Sequence, residues 1–289
     1  MMYKKRELFL KAKCSVGSTI RIVLAVMFSH VVTTTNVFAA DEEVSTDLFP
    51  DTFMLKLGSY SIGDSSTNLI VNPEGDTGTE IDFQRELNGE SKDSAARIDA
   101  RYRFNDKHSI NFTAFGINRS GSSTLTFNLK VGDNEYSVGE TVNTDLDYTL
   151  YKLGYGYSFY HSPEVELTLI AGVHVTGYDL LVTDSAGQNI TSSDVTVPLP
   201  MLGLSMKYEI TPRWSVFYIA EAFTVRIEDT FSGNLLNYEL STEYRLLKNF
   251  SIGAGIVRFS IDVDVDASNW QGGITDSHRG VTVFGSLYF

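Results

Sequence analysis

Apolar and polar residues alternate with period two along most of the chain beyond residue 52. Leu236, Tyr238, Leu240, Thr242, Tyr244 and Leu246 fall on one face of an extended strand; Asn237, Glu239, Ser241, Glu243 and Arg245 fall on the other. Ile98, Ala100, Tyr102 and Phe104 oppose Arg97, Asp99, Arg101 and Arg103 in the same way. Val165, Leu167, Leu169, Ala171 and Val173 oppose Glu166, Thr168, Ile170 and Gly172. The stretch 278–289 puts Val281, Val283, Gly285, Leu287 and Phe289 on one side, with Thr282, Phe284, Ser286 and Tyr288 on the other. A soluble sheet buries such an apolar face. A membrane barrel turns it to lipid and encloses the polar one. Strands of ten or more residues exceed the usual soluble length and match a tilted bilayer crossing.

Tight and long connections alternate. Asn105-Asp106-Lys107, His161-Ser162-Pro163, Thr211-Pro212 and Leu247-Lys248-Asn249 read as tight turns, because their residues suit turn backbone geometry. Longer connections are expected over 63–94, 119–144, 184–194, 229–234 and 262–277. The segment 79–87 is read as part of the first loop, and 123–142 as a hairpin projecting beyond the membrane. Short periplasmic turns and long outer loops mark outer-membrane barrels, whose strand number is even. Four tight turns predict about ten strands, with eight and twelve as alternatives. The expected fold is all-β: a transmembrane antiparallel up-and-down β-barrel over 53–289.

Residues 1–39 read as a cleavable signal peptide. Lys4, Lys5, Arg6, Lys11, Lys13 and Arg21 supply the basic region, 20–32 the apolar one, and Val37-Phe38-Ala39 a small-residue cleavage site. Residues 40–52 follow as an acidic periplasmic lead. The one cysteine, Cys14, lies in the leader, so the mature chain has neither disulfide nor thiol nucleophile. The whole chain carries a formal charge of −13. Removing 1–39 takes away six basic residues and Glu7, leaving 17 basic against 35 acidic residues, or −18. That charge argues against nucleic acid as a partner. No apolar run beyond residue 40 reaches the ~18 residues of a spanning helix.

The ending at Phe289 resembles the C-terminal strand of Gram-negative outer-membrane barrels, in which a terminal Phe closes the barrel. The stretches 97–125, 144–180 and 197–223 resemble a widespread group of Gram-negative outer-membrane proteins. The resemblance implies a monomeric barrel of the broad family that includes the OmpA transmembrane domain and OmpW. It also implies recognition of the last strand (Val281, Val283, Leu287, Phe289) by the barrel-assembly machinery. Outer-membrane lipid and lipopolysaccharide are the expected surroundings. It carries no activity with it.

Arg97, Asp99, Arg101, Arg103, Lys152, Glu239, Glu243 and Arg245 are expected to meet across a narrow lumen. Mixed signs favour a structural salt-bridge network over a selectivity filter, since buried charges must pair. Asp262, Asp264 and Asp266 are weak candidates for a divalent cation, and do not match an EF-hand spacing. No metal or cofactor is expected. A ten-strand count invites comparison with the omptin proteases, whose site uses Asp pairs and a His at the outer rim. Here only His278, two residues from Asp276 and expected near the last surface loop, offers such a pair. His174 is expected inside the lumen as a hydrogen-bonding group. No nucleophile motif or paired-His metal motif occurs, and no enzymatic activity is expected. The function expected is that of a structural or surface-interaction barrel with a filled lumen. A narrow pore or hydrophobic-solute channel resembling OmpW is the alternative.

Overall fold

The computed structural model describes residues 52–72, 79–131, 134–187, 189–227, 230–267 and 270–289. The expected signal peptide, and all but the last residue of the expected lead, lie outside the described residues. The strands are β1 (Phe53–Asn72), β2 (Thr79–Asp82), β3 (Asp93–Asn105), β4 (His108–Thr124), β5 (Leu129–Val131) and β6 (Asn134–Tyr136). They continue with β7 (Thr141–His161), β8 (Val165–Asp184), β9 (Ile190–Thr211), β10 (Trp214–Ile227), β11 (Phe231–Leu247), β12 (Phe250–Ala267) and β13 (Trp270–Tyr288).

Ten of these form the wall, in the order β1-β3-β4-β7-β8-β9-β10-β11-β12-β13, and β13 pairs back onto β1. All neighbours are antiparallel. The ring is closed around its lower half, which removes the aggregation hazard of an open sheet there. β9 and β10 pair only from Thr211↔Trp214 to Leu202↔Ala222; above that point β9 pairs with β8 and β10 with β11, but not with each other among the described residues. The seam runs from Met54↔Tyr288 to Asn72↔Gln271. At its foot Phe53 N–H donates to the Phe289 carbonyl at 3.0 Å, and Phe289 N–H donates to that of Phe53 at 2.8 Å. The four expected tight turns occur at the β3–β4, β7–β8, β9–β10 and β11–β12 junctions. By the short-turn rule that end faces the periplasm.

The lower wall meets lipid. Leu57, Leu153, Leu169, Leu204, Leu240, Ile256 and Val283 are exposed on its outside. Tyr102, Phe104, Tyr155, Tyr157, Tyr208, Trp214, Tyr244 and Phe289 are exposed near the periplasmic turns, as an interfacial girdle requires. A bilayer crossing takes roughly 9–11 tilted residues. Most wall strands are 17–22 residues long, so their outer halves stand beyond the hydrocarbon.

There the polarity reverses. On β12, Ile252 and Ile256 face out below, while Val257, Phe259, Ile261 and Val263 face in above. Arg258, Asp262 and Asp264 take the outer positions of that upper half. On β7, Leu153 and Tyr155 are exposed below, whereas Leu146, Tyr148 and Leu150 are buried above and Asp145 and Asp147 are exposed. The upper lumen is therefore filled with a contiguous apolar core that includes Leu69, Leu146, Leu180, Val182, Leu199, Leu235 and Ile274.

Several expectations about the connections are revised by the structure. The first loop is shorter than 63–94, because β1 continues to Asn72. The segment 79–87 does belong to the β1–β3 connection, and it folds into the lumen: β2 pairs with Asn68–Val71, and Ile81, Phe83 and Leu87 are fully buried in the core. The β5–β6 hairpin does not project into solvent. Leu129, Val131 and Tyr136 are buried, and Tyr136 Oη donates to the Val182 carbonyl at 3.1 Å. The span 262–277 is mostly ladder of β12 and β13. In each case the hydrogen-bonded ladder outlasts the apolar-outward signal, because water replaces lipid outside.

Gly58 makes the seam possible. A Cβ there would lie 2.7 Å from Phe284 Cβ, and closer still to the Val283 carbonyl oxygen. Both belong to β13, and the backbone contact cannot be relieved by a rotamer. Gly58→Val is expected to abolish closure, read as loss of the compact, heat-modifiable band in cold SDS electrophoresis. A substitution at the uncrowded Gly63, where the nearest atom is 4.0 Å away, should leave that band intact.

Candidate functional site

The lumen is the candidate site, and it is layered. Period two sends alternate residues inward, so the lower layer holds the charges of the lipid-crossing strands. Arg97 donates from Nη2 to Asp99 Oδ1 at 2.9 Å and to Glu239 Oε2 at 2.7 Å. Arg103 forms a forked pair with Glu166, at 3.0 and 3.2 Å. Lys152 Nζ lies 3.0 Å from both oxygens of Glu221, which also accepts from Asn237. Lys207 pairs with Glu209 at 2.6 Å. Glu243 accepts from Ser286 at 3.1 Å and from the Tyr288 hydroxyl. Arg245 stacks over the Tyr288 ring at 4.8 Å, and Lys56 over Phe284 at 3.9 Å.

Of the expected network, Arg97, Asp99 and Glu239 come into direct contact. Arg103 and Lys152 find other partners, Glu166 and Glu221. Arg101 lines the lower cavity and makes no ion pair among the described residues. Sequence reasoning missed Glu221, Lys207 and Lys56 as lumen charges. Lys56 and Glu221 are single ions in apolar stretches and Lys207 has Glu209 two residues on; counting by two from Ser215, Glu209 or Met54 puts each inside.

Above the ions lies an aromatic layer. His174 stacks on Phe259 at 5.3 Å, and Phe259 lies 4.8 Å from His278. Tyr148 packs on Tyr178, Phe259 and His278. His174 Nδ1 lies 3.0 Å from Thr176 Oγ1, so it does sit inside as a hydrogen-bonding group. His278 is not near a surface loop: it is 4% exposed, and Asp276 is fully buried beside it.

Asp276 anchors the next layer. Thr67 donates to it at 2.6 Å, Tyr178 and His278 lie at 3.4 Å, and Arg119 Nη2 at 3.6 Å. Arg119 also donates to Ser65 at 2.9 Å and Thr67 at 3.0 Å, and faces the Phe83 ring at 5.9 Å. The apolar core and its cap close over this pair.

Chemically, the arrangement is a stack of paired ions and packed rings. The Asp276–His278 pair has the composition of an acid–base dyad; Asp276 is fully buried, and His278 is buried at the edge of a small cavity inside the lumen. Asp262 and Asp264 are exposed on the outer face, accepting from Thr275 at 2.9 Å and Ser232 at 3.5 Å. The Asp266 side chain lies outside the described residues. No group of three or more His, Cys, Asp or Glu poised for a metal occurs among the described residues.

The closed antiparallel ring, its apolar belt and its girdle define a transmembrane β-barrel of the outer-membrane type. The chain is similar to the outer membrane protease OmpT from Escherichia coli, with a TM-score of 0.51 and 11% identity over 85% of this chain and 100% of that one. Ail, the attachment invasion locus protein of Yersinia pestis, gives a TM-score of 0.36 and 9% identity over 80% and 98%. The outer membrane protein OprG from Pseudomonas aeruginosa gives 0.35 and 12% over 82% and 94%. The first of these is a likeness of fold, and at such identity it assigns no residue a role. No protein-family model and no curated protein matches the chain.

Removing one partner of a buried ion pair strands the other, at a cost of roughly 3–5 kcal/mol. Arg119→Met is therefore expected to destabilise the barrel by about that much, measured by denaturant unfolding from detergent. The double change Arg119→Met with Asp276→Leu should recover most of the loss, because no uncompensated charge remains.

Proposed function

We propose that this is an outer-membrane barrel that works at its surfaces and not through its axis: a structural or surface-interaction protein with a side-chain-filled lumen. The observation that carries this reading is the stacking of four fillings along the axis. They are the paired ions, the aromatic–histidine layer, the Arg119–Asp276 pair, and the apolar core capped by β2 and the β5–β6 hairpin. A conducting pore favours a continuous wet path with one sign of charge at its constriction. Here most of the lumen ions pair, and the upper half is lined by apolar side chains.

The reading extends to its surroundings. The apolar belt matches outer-membrane lipid, and the polar outer half of the wall suits the lipopolysaccharide head-group zone. The last strand, β13, is the element the barrel-assembly machinery would engage. A surface enzyme is disfavoured by the burial of Asp276 and His278. A hydrophobic-solute channel would need the cap and core to part.

Planar-bilayer recording tests the reading. The wild-type barrel should give no discrete conductance steps. Steps whose size changes on Glu239→Gln or Arg101→Met would defeat it. Phe83 is fully buried between cap and core, so Phe83→Ala should lower the unfolding free energy by roughly 3–5 kcal/mol.

A further inference from the structure

The lower end of the lumen is not completely filled. A cavity of about 140 Å³ runs from there up through the charge layer, bordered by Lys56, Arg101, Glu243 and Tyr288 below and by Asp99, Lys152, Glu221 and Glu239 above. That volume holds a few waters or one small ion.

Its charges fall into two tiers. Arg97, Asp99, Lys152, Glu221 and Glu239 stand at least six residues from the periplasmic ends of their strands. They are mutually paired and carry one excess negative charge. The residues within four of those ends include Lys56, Arg101, Arg103, Lys207 and Arg245 against only Glu166, Glu209 and Glu243. This mouth is thus basic by two charges in a chain whose net charge is −13. Its three carboxylates are already engaged, by Arg103, by Lys207, and by Ser286 with Tyr288. Lys56 and Arg101 make no close salt bridge among the described residues, and the counter-charges facing Lys56 are Asp99, its register partner, and Glu243.

Those two are neighbours. Lys56 pairs in register with Asp99 and Met54 with Arg101 on adjacent strands, so Lys56 and Arg101 are diagonal positions on the lumen face. Diagonal positions lie roughly 7–8 Å apart, within reach of one another's long side chains. A Lys ammonium and an Arg fork at that spacing suit a single oxyanion between them. The Phe284 ring beneath Lys56 holds its ammonium in place.

We propose that the periplasm-facing vestibule is a binding site for a small oxyanion, phosphate or carboxylate, held between Lys56 and Arg101. The inference does not depend on whether the axis conducts. It is tested on the full barrel in neutral detergent by calorimetric titration with inorganic phosphate, and in parallel with acetate. Saturable binding is expected with at least one of them. Lys56→Met and Arg101→Met should each weaken it tenfold or more, while Arg101→Lys should retain part of the affinity. Arg258→Gln, an exposed change on the outer wall, should leave it unchanged. The heat-modifiable band identifies variants that have folded. A phosphate titration in vesicles of phosphatidylglycerol, set beside one in phosphatidylcholine, separates two sources of the anion. Weakening only in the former assigns the site to a lipid phosphate, and equal affinity assigns it to a free anion. Non-saturable uptake, or unaltered affinity in both methionine variants once folded, overturns the proposal.

Discussion

The structure depends on one constraint: each wall strand passes through two solvents. In hydrocarbon, the outer face must be apolar and the ladder must be complete, because an unmet backbone group has no water to turn to. Beyond the hydrocarbon, the outer face meets water, and apolar side chains gain by turning inward. Period two leaves only two faces to choose from. A strand that continues unbroken through the boundary must therefore swap the chemistry of its faces, and β7 and β12 do so within a few residues. The filled, apolar upper lumen follows from that swap. It is the core of a water-exposed barrel built on top of a lipid-exposed one.

Between the two halves, the lumen passes from ions to hydrocarbon, and the rings of His174, Phe259, His278 and Tyr148 occupy the transition. Aromatic and imidazole rings suit it because they offer apolar faces and polar edges together. Arg119 and Asp276 are the exception, a charged pair above that layer, nearly or fully excluded from solvent. Such a pair is a poor source of stability compared with apolar packing, but costly to break from one side. Its bonds to Ser65 and Thr67 on β1 tie β4 and β13 to the same stretch of strand from which β2 folds back. The cap is held to that same stretch by its own backbone pairing with β1 and by the Phe83 N–H, which donates to the Thr67 carbonyl at 2.9 Å.

Much of the lower barrel was legible in the sequence, since the alternation around Leu240, Ile98 and Val283 and the four turn clusters are direct records of pleat and connection. Ten strands follow from them. The upper barrel was harder to read because the same alternation persists there in the opposite phase. The run Asp262-Val263-Asp264-Val265 was expected in a loop, yet it continues β12, with the two aspartates exposed outside and Val263 buried in the core. Arg119 and Asp276 were read as loop residues for the same reason. Partner choice across the lumen was not legible at all. That Arg103 meets Glu166 and not Glu243 depends on the stagger between strands, which no local pattern records.

Closure of the ring has a consequence for what the interior can hold. Ten strands enclose a space that side chains nearly fill, so any free volume must arise where small residues line the wall. Gly154, Gly253 and Gly255 all face the lumen in the lower half, and a Cβ at Gly253 would strike Phe284 or the Thr242 carbonyl at about 2.5 Å. Phe284 occupies that glycine-lined recess, and its ring supports Lys56. The upper half, by contrast, is lined by Leu, Ile, Val and Tyr and leaves no room. The lower glycines that let β13 seat against β12 and β1 thus belong to the half of the lumen that keeps an opening, and that opening faces the periplasm. Seam packing and vestibule are two results of the same distribution of small residues along the wall.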